Sequence, residues 1–101
     1  MEKLRPHFPL QEIIRLASNT ESVVFTTVAR KGAATLGMAV DDMFTVLAAL
    51  TMRDFYKSMT SYADHTSWQD VYRPLFQGTP LYLKLTIIPE RNLLVVSFKR
   101  R

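Results

Sequence analysis

The stretch LYLKLTIIPERNLLVVSFK, residues 81–99, contains two apolar, β-branched runs separated by PERN. This composition predicts two strands, 81–88 and 93–99, joined as a hairpin by a loop at residues 89–92. The loop length sets the register, and a shift by one residue would exchange the two faces of each strand. The resulting register opposes only apolar residues on one face: Ile87 with Leu94, Leu85 with Val96, and Leu83 with Phe98. The hairpin therefore predicts a sheet with one face buried under helices.

The other face of the same hairpin is more polar. It opposes Ile88 with Leu93, Thr86 with Val95, Lys84 with Ser97, and Tyr82 with Lys99. Lysine ammonium groups and a tyrosine hydroxyl are donors that can bind phosphate, so Tyr82, Lys84 and Lys99 form a candidate phosphate site. The same residue types are also common at ordinary solvent-facing strand positions, and the pattern alone leaves both interpretations open.

Helical spacing and turn residues predict the elements outside the hairpin. Helices are predicted at residues 9–18, at 31–36 ending at Gly37, and from Asp41 or Asp42 to Leu50. The capping pattern of Thr51 to Asp54 predicts a further helix carrying Phe55, Tyr56, Lys57 and Met59. Strands are predicted at 23–29 and 67–76, the latter at a sheet edge because of Pro74, with a loop at 60–66 and a turn at 77–80.

The order of these elements predicts an α+β fold, a small antiparallel sheet with helices packed on one face. The 101 residues suit one domain, 1–101, and contain no cysteine, so disulfides and cysteine-bound zinc are excluded. No signal peptide or membrane-spanning run is visible, which predicts a cytoplasmic protein.

Charge is distributed unevenly along the chain. Residues 1–50 balance, and the net charge of +4 lies in residues 51–101 together with all four tyrosines and the tryptophan. A basic half rich in aromatic residues is compatible with a nucleic-acid partner, although a merely basic surface would look the same.

Other candidate chemistry is weaker. His65 could serve as a general base, but a single loop histidine is more often a surface residue. His7, His65 and the carboxylates lack metal-ligand spacing, so we expect no metal and no cofactor. Gly32 and Gly37 form neither a P-loop nor a dinucleotide-binding pattern.

The run DFYKSMTSYADHTSWQDVYRP, residues 54–74, closely resembles the MqsR toxin family (motility quorum-sensing regulator). The opening MEK with Pro6, His7 and Leu10, the YLK of residues 82–84, and the closing VSFK of residues 96–99 resemble it as well. Together these segments span essentially the whole chain, with the match densest from Asp54 onwards.

The resemblance implies a RelE-like fold and a toxin of a type II toxin–antitoxin system that cleaves single-stranded mRNA without the ribosome, at GCU-like sites. It implies catalytic roles for Lys57, Gln69, Tyr82 and Lys99. The matching run also contains Tyr56, His65 and Arg73, which with Lys84 are candidates for RNA binding. Tyr82 and Lys99 are the pair that the hairpin had already opposed.

A metal-independent mechanism fits these residues, because RNA carries its own nucleophile in the ribose 2′-hydroxyl. Lys57 and Lys99 would supply positive charge, and one of them would act as base if mutual repulsion lowers its pKa. Tyr82 would be the acid, and Gln69 a neutral donor. The alternatives are a ribosome-dependent RelE-like mRNA cutter and a non-catalytic RNA- or protein-binding module. The resemblance also implies a cognate MqsA-like antitoxin that contains zinc and binds DNA.

Overall fold

The computed structural model describes all 101 residues as three helices and seven strands. The helices are α1 (Leu10–Ala17), α2 (Thr27–Thr35) and α3 (Val40–Ala48), with short 3-10 turns at Thr20–Ser22 and Met52–Asp54. The strands are β1 (Glu2–Lys3), β2 (Val23–Phe25), β3 (Phe55–Thr60), β4 (Trp68–Tyr72), β5 (Leu75–Phe76), β6 (Thr79–Ile87) and β7 (Leu93–Arg100). No helix is both long and apolar enough to span a bilayer.

The strands form a mixed sheet in the order β1-β3-β4-β6-β7-β2, with β5 paired to β6. The α+β prediction is confirmed, but the prediction of a purely antiparallel sheet is wrong. Strand β2 runs parallel to β7, with Val23 beside Leu93 and Phe25 beside Val95. A parallel neighbour requires a crossover connection, and the connection from β2 to β7 contains α2 and α3.

The helices cover one face of this sheet. Their buried apolar side chains pack against the alternate, inward-facing residues of the central strands, as side-chain alternation in a strand requires. From the helices come Ile13, Leu16, Ala29, Ala33, Met43, Val46 and Leu47, and from the sheet Tyr72, Leu81, Leu83, Leu85, Leu93, Val95 and Phe98. The opposite face of β3, β4, β6 and β7 therefore carries no helix.

Helix α2 lies unusually close to β7. A Cβ built on Gly32 would be 1.9 Å from the carbonyl oxygen of Phe98, a contact that no alanine could make without displacing the backbone. Gly32 is therefore required by packing, because it lets α2 lie directly against the strand segment that contains Lys99.

The hairpin register is confirmed at its open end and wrong near its loop. Tyr82 pairs with Lys99 and Lys84 with Ser97, but Leu85 then pairs with Val95. A β-bulge at Val96 shifts the register by one residue, so Leu93 and Val95 are fully buried in place of the predicted Leu94 and Val96. The bulge also leaves the Val96 carbonyl free to accept from the Thr26 hydroxyl at 2.8 Å.

Thr26 ends the predicted strand 23–29 early. Its hydroxyl accepts a hydrogen bond from the Ala29 amide, so it caps α2, which begins at Thr27 rather than at residue 31. Gly37 has a φ of +71°, the left-handed conformation expected after a helix. The helices predicted at 9–18 and from residue 41 or 42 are confirmed within one or two residues, with Asp42 accepting from the Ala39 amide.

The prediction of a helix after Thr51 is wrong. Asp54 accepts from the Thr51 amide as the capping pattern requires, but the turn ends at Asp54 and residues 55–60 form β3. Pairing with β1 on one side and β4 on the other outweighs the local helical signal. The edge-strand prediction for 67–76 is also wrong, because β4 is central and Pro74 lies beyond its last residue.

Candidate functional site

The open face of the sheet brings together polar residues of four strands. The registers place Lys57 of β3 opposite Val71 of β4, Val71 opposite Lys84 of β6, and Lys84 opposite Ser97 of β7. Since Leu83 and Leu85 point into the core, Lys84 points away from it, and so do its neighbours in this row. The row crosses the uncovered face with the fully buried Val71 between the two lysines.

The remaining catalytic candidates lie on the same face. Tyr82 opposes Lys99 next to this row, and the Lys99 ammonium is 5.3 Å from the centroid of the Tyr82 ring. Gln69 opposes Met59 two residues along β4 from Val71. Lys57, Gln69, Tyr82, Lys84 and Lys99 are therefore all presented to solvent on the side of the sheet away from the helices.

Lys57 is the one lysine of this face with an ionic partner. Its Nζ donates to Oε2 of Glu2 at 2.5 Å, and Glu2 lies opposite Met59 in the β1–β3 pairing. The hydrogen bond from Glu2 raises the pKa of Lys57, and the same bond lowers the pKa of Glu2. The prediction that lysine repulsion lowers a lysine pKa is wrong for Lys57, which stays protonated at neutral pH.

Glu2 is a functional candidate that sequence reasoning did not find. β1 pairs with β3 beside Lys57, and the segment that follows β1 is held by Asp70 of β4, a fully buried residue. The Asp70 carboxylate accepts from the backbone amides of His7 and Phe8, each at 2.9 Å. These bonds fix the segment that follows β1. A two-residue strand has no periodicity, so the sequence contained no signal for this pairing.

Tyr56 and Arg73 lie together at one end of the open face. The Arg73 guanidinium is 4.3 Å from the centroid of the Tyr56 ring, and the Lys57 ammonium is 5.3 Å from the same centroid. Tyr56 occupies an irregularity in β3 where the register with β4 shifts, and its side chain is exposed. The structure thus groups two of the four predicted RNA-binding residues, Tyr56 and Arg73, with Lys57.

The structure does not bring His65 into this group. It lies exposed in the loop between β3 and β4, beside Asp64, whose pKa is lowered by hydrogen bonds from the Thr66 hydroxyl and amide. His7 is also away from the open face. Its ring stacks on Trp68 at 5.5 Å, and partial burial followed by the nearby Lys3 charge lowers its pKa.

No three histidine, aspartate or glutamate side chains converge in an arrangement that could hold a metal ion. The groups on the open face are instead ammonium, amide and phenol donors. Such donors can bind the oxygens of a phosphate, and a phenol can also transfer a proton.

A small basic domain with such donors on an open sheet face has the features expected of proteins that bind phosphate-rich polyanions. Residues 5–100 match the family described as motility quorum-sensing regulator, toxin of MqsA. The chain is also 46% identical over 101 residues to the mRNA interferase toxin MqsR of Escherichia coli (strain K12), with 100% of each chain covered. The chain therefore belongs to the motility quorum-sensing regulator toxin family, as the run at residues 54–74 predicted.

Proposed function

We propose that this chain is an mRNA interferase, the endoribonuclease toxin of a toxin–antitoxin system, and that it cleaves single-stranded mRNA on the open face of its sheet. The observation that carries the proposal is the placement of Lys57, Gln69, Tyr82 and Lys99 on the same, uncovered face of the sheet. The name of the E. coli relative, an mRNA interferase toxin, supports the same activity.

In the proposed reaction the ribose 2′-oxygen attacks the adjacent phosphorus and the bond from phosphorus to the 5′-oxygen breaks. The proton of the 2′-hydroxyl passes to a base, and the leaving 5′-oxygen receives one from an acid. The products are a 2′,3′-cyclic phosphate and a 5′-hydroxyl, so the protein supplies neither a nucleophile nor an oxidant.

Lys57 acts in this scheme as a fixed positive charge. The hydrogen bond to Glu2 raises the pKa of Lys57, which suits its ammonium to stabilise the oxygens of the pentacoordinate phosphorus rather than to act as the base. Lys99 is the lysine that we propose as the base, and no ion pair includes it. Tyr82, beside Lys99, donates the proton to the leaving oxygen, and Gln69 orients the phosphate or a base.

The partner proposed for this toxin is an MqsA-like antitoxin. The family description names the toxin as that of MqsA, which supports a cognate antitoxin. Zinc and DNA binding are assigned to that antitoxin and not to this chain.

The test is to incubate the purified protein with naked single-stranded RNA containing GCU sites, in EDTA and without ribosomes, and to analyse the fragment ends. The proposal predicts discrete cuts with cyclic phosphate ends, and loss of those cuts in a folded Tyr82→Phe protein. Cleavage only after ribosomes are added would instead show a ribosome-dependent cutter. Binding without cleavage under either condition would show a non-catalytic module.

A further inference from the structure

A cavity lined by arginines opens beside the open face, at the end where Tyr56 lies. It has a volume of about 190 Å³ and is bordered by Arg53, Arg73, Arg101 and Tyr56. A second cavity of about 480 Å³ shares Asp54, Arg73 and Arg101 with it, so the two form a continuous depression. Neither Arg53 nor Arg101 belongs to the catalytic set proposed above.

The backbone holds these arginines in place. The Arg73 amide donates to the Asp54 carbonyl at 2.7 Å, and the Arg101 amide donates to the Pro80 carbonyl at 2.9 Å, which extends the pairing of β7 with β6. Arg53 lies in the 3-10 turn that Asp54 closes on Thr51. Three arginines therefore line one depression from separate, hydrogen-bonded segments.

The positive charge of this cavity is not neutralised by ion pairs. The ion pairs of the structure join Arg15 and Arg91 to Glu12 and Lys57 to Glu2, and none includes Arg53, Arg73 or Arg101. Asp54 is the one acidic side chain of the lining, and its carboxylate already accepts from the Thr51 amide and hydroxyl. A planar guanidinium without a carboxylate partner is suited to bidentate contact with phosphate.

The cavity is continuous with the proposed cleavage face through Tyr56. The Arg73 guanidinium lies 4.3 Å from the centroid of this exposed ring, and the Lys57 ammonium lies 5.3 Å from the same centroid. An aromatic ring flanked by cations is the arrangement on which a single-stranded nucleic acid stacks a base while its phosphates meet the charges.

Resting on the proposed function, we propose that the arginine cavity binds a backbone phosphate of the RNA strand outside the cleaved step, with Arg53 and Arg101 as its new contacts. The cavity would thereby make longer RNA substrates bind more tightly than a minimal cleavage site.

The test compares two RNA lengths. A mapped cleavage site is made with a 2′-deoxy sugar at the attacking position, once as a minimal oligonucleotide and once extended by several nucleotides on each side. Dissociation constants are measured by fluorescence anisotropy for the wild-type chain, for Arg53→Gln/Arg101→Gln, and for Arg30→Gln/Lys31→Gln. The last variant is the matched control, because it removes two exposed positive charges from α2 on the other side of the sheet.

The proposal predicts that Arg53→Gln/Arg101→Gln binds the long RNA roughly tenfold more weakly than the wild-type chain and binds the minimal RNA equally well. The control variant should bind both RNAs as the wild-type chain does. The salt dependence of the long RNA should also lose about 0.7 in slope for each phosphate contact removed. If Arg53→Gln/Arg101→Gln bound both RNA lengths equally weakly and the control variant did the same, the effect would be one of net charge. That result would overturn the proposal. Unchanged binding of the long RNA by Arg53→Gln/Arg101→Gln would also overturn the proposal.

Failure of the proposed function gives a different result. Wild-type protein that binds the all-ribose long RNA without cutting it would refute the nuclease, and the length comparison would still decide the cavity. Wild-type protein that binds neither RNA would refute both.

Discussion

The two faces of the sheet treat polar side chains in opposite ways. On the covered face the carboxylate of the fully buried Asp70 accepts from two backbone amides, and the Ser58 hydroxyl donates to a carbonyl of β4. On the open face the lysines and Tyr82 have few protein partners, Glu2 on Lys57 being the ionic one. Polar groups on the covered face form hydrogen bonds within the protein that stabilise the fold, whereas those on the open face keep their donors available for a ligand.

The largest expected effect is on catalysis by the open face. Lys57→Ala should reduce the rate of RNA cleavage about 100- to 1,000-fold, because it removes a fixed charge from the reacting phosphate. The change in unfolding free energy should stay within about 0.5 kcal/mol, since Lys57 is not in the core. Cleavage rates and urea unfolding measure the two quantities, with Lys31→Ala on α2 as control. Undiminished cleavage by Lys57→Ala would place the chemistry elsewhere.

On the covered face the largest effect is expected at Gly32. Gly32→Ala should lower the unfolding free energy by roughly 3 kcal/mol, because its Cβ would collide with the Phe98 carbonyl. In a helix that did not touch β7 the same change would instead stabilise by about 1 kcal/mol. Urea unfolding shows whether Gly32→Ala destabilises or stabilises the protein. Ala34→Gly, on the exposed side of α2, measures the effect of helix propensity alone.

Asp70 should be the most sensitive buried polar residue. Asp70→Asn keeps its size but replaces one acceptor oxygen by a donor, so either His7 or Phe8 loses the bond to its amide. The expected loss is about 2 kcal/mol of unfolding free energy. Thermal and urea unfolding provide the measurement, with the exposed Glu90→Gln as a charge-matched control; equal stability of the two variants would refute the anchoring role.

Tyr72 is the exception on the covered face, because its buried hydroxyl has no hydrogen-bond partner. Burial, followed by the charges of Asp70 and Asp54, raises the pKa of Tyr72. Tyr72→Phe should therefore stabilise the protein by about 1 kcal/mol and leave cleavage unchanged, whereas Tyr82→Phe loses cleavage. A destabilised Tyr72→Phe protein would mean that the hydroxyl has a partner.

The smallest effect is expected from Glu2. The pKa of Glu2 is lowered and that of Lys57 is raised. Their ionic hydrogen bond is therefore lost when the pH falls through the pKa of Glu2 or rises through the pKa of Lys57. Glu2→Gln should lower the pKa of Lys57 towards its ordinary value, as an NMR titration of the lysine Cε resonance would show. Glu2→Asp should restore part of the shift, and an unchanged Lys57 pKa in Glu2→Gln would show that the carboxylate does not act on it.

The hairpin shows how far the sequence alone predicts this molecule. Strict alternation around Lys84 placed Tyr82 opposite Lys99 and put both on the open face, as the structure confirms. Alternation gives no guidance where consecutive residues are all apolar. The bulge at Val96, inside the run LLVV, was therefore missed.

The site was harder to predict where it depends on long-range pairing. The local signal of Thr51 to Asp54 indicated a helix for residues that the sheet holds extended, and so misplaced the element that carries Lys57. Glu2 contacts Lys57 across 55 positions of sequence through a two-residue strand. No periodicity in so short a segment could have predicted it.

The most direct test of the assignment of the two faces is an NMR map of RNA binding. Amide resonances of the full chain would be followed while a single-stranded RNA with a 2′-deoxy sugar at the cleavage position is added. We predict shifts concentrated at Lys57, Gln69, Tyr82, Lys84 and Lys99. Shifts concentrated on α1, α2 and α3, with these residues unmoved, would contradict the account.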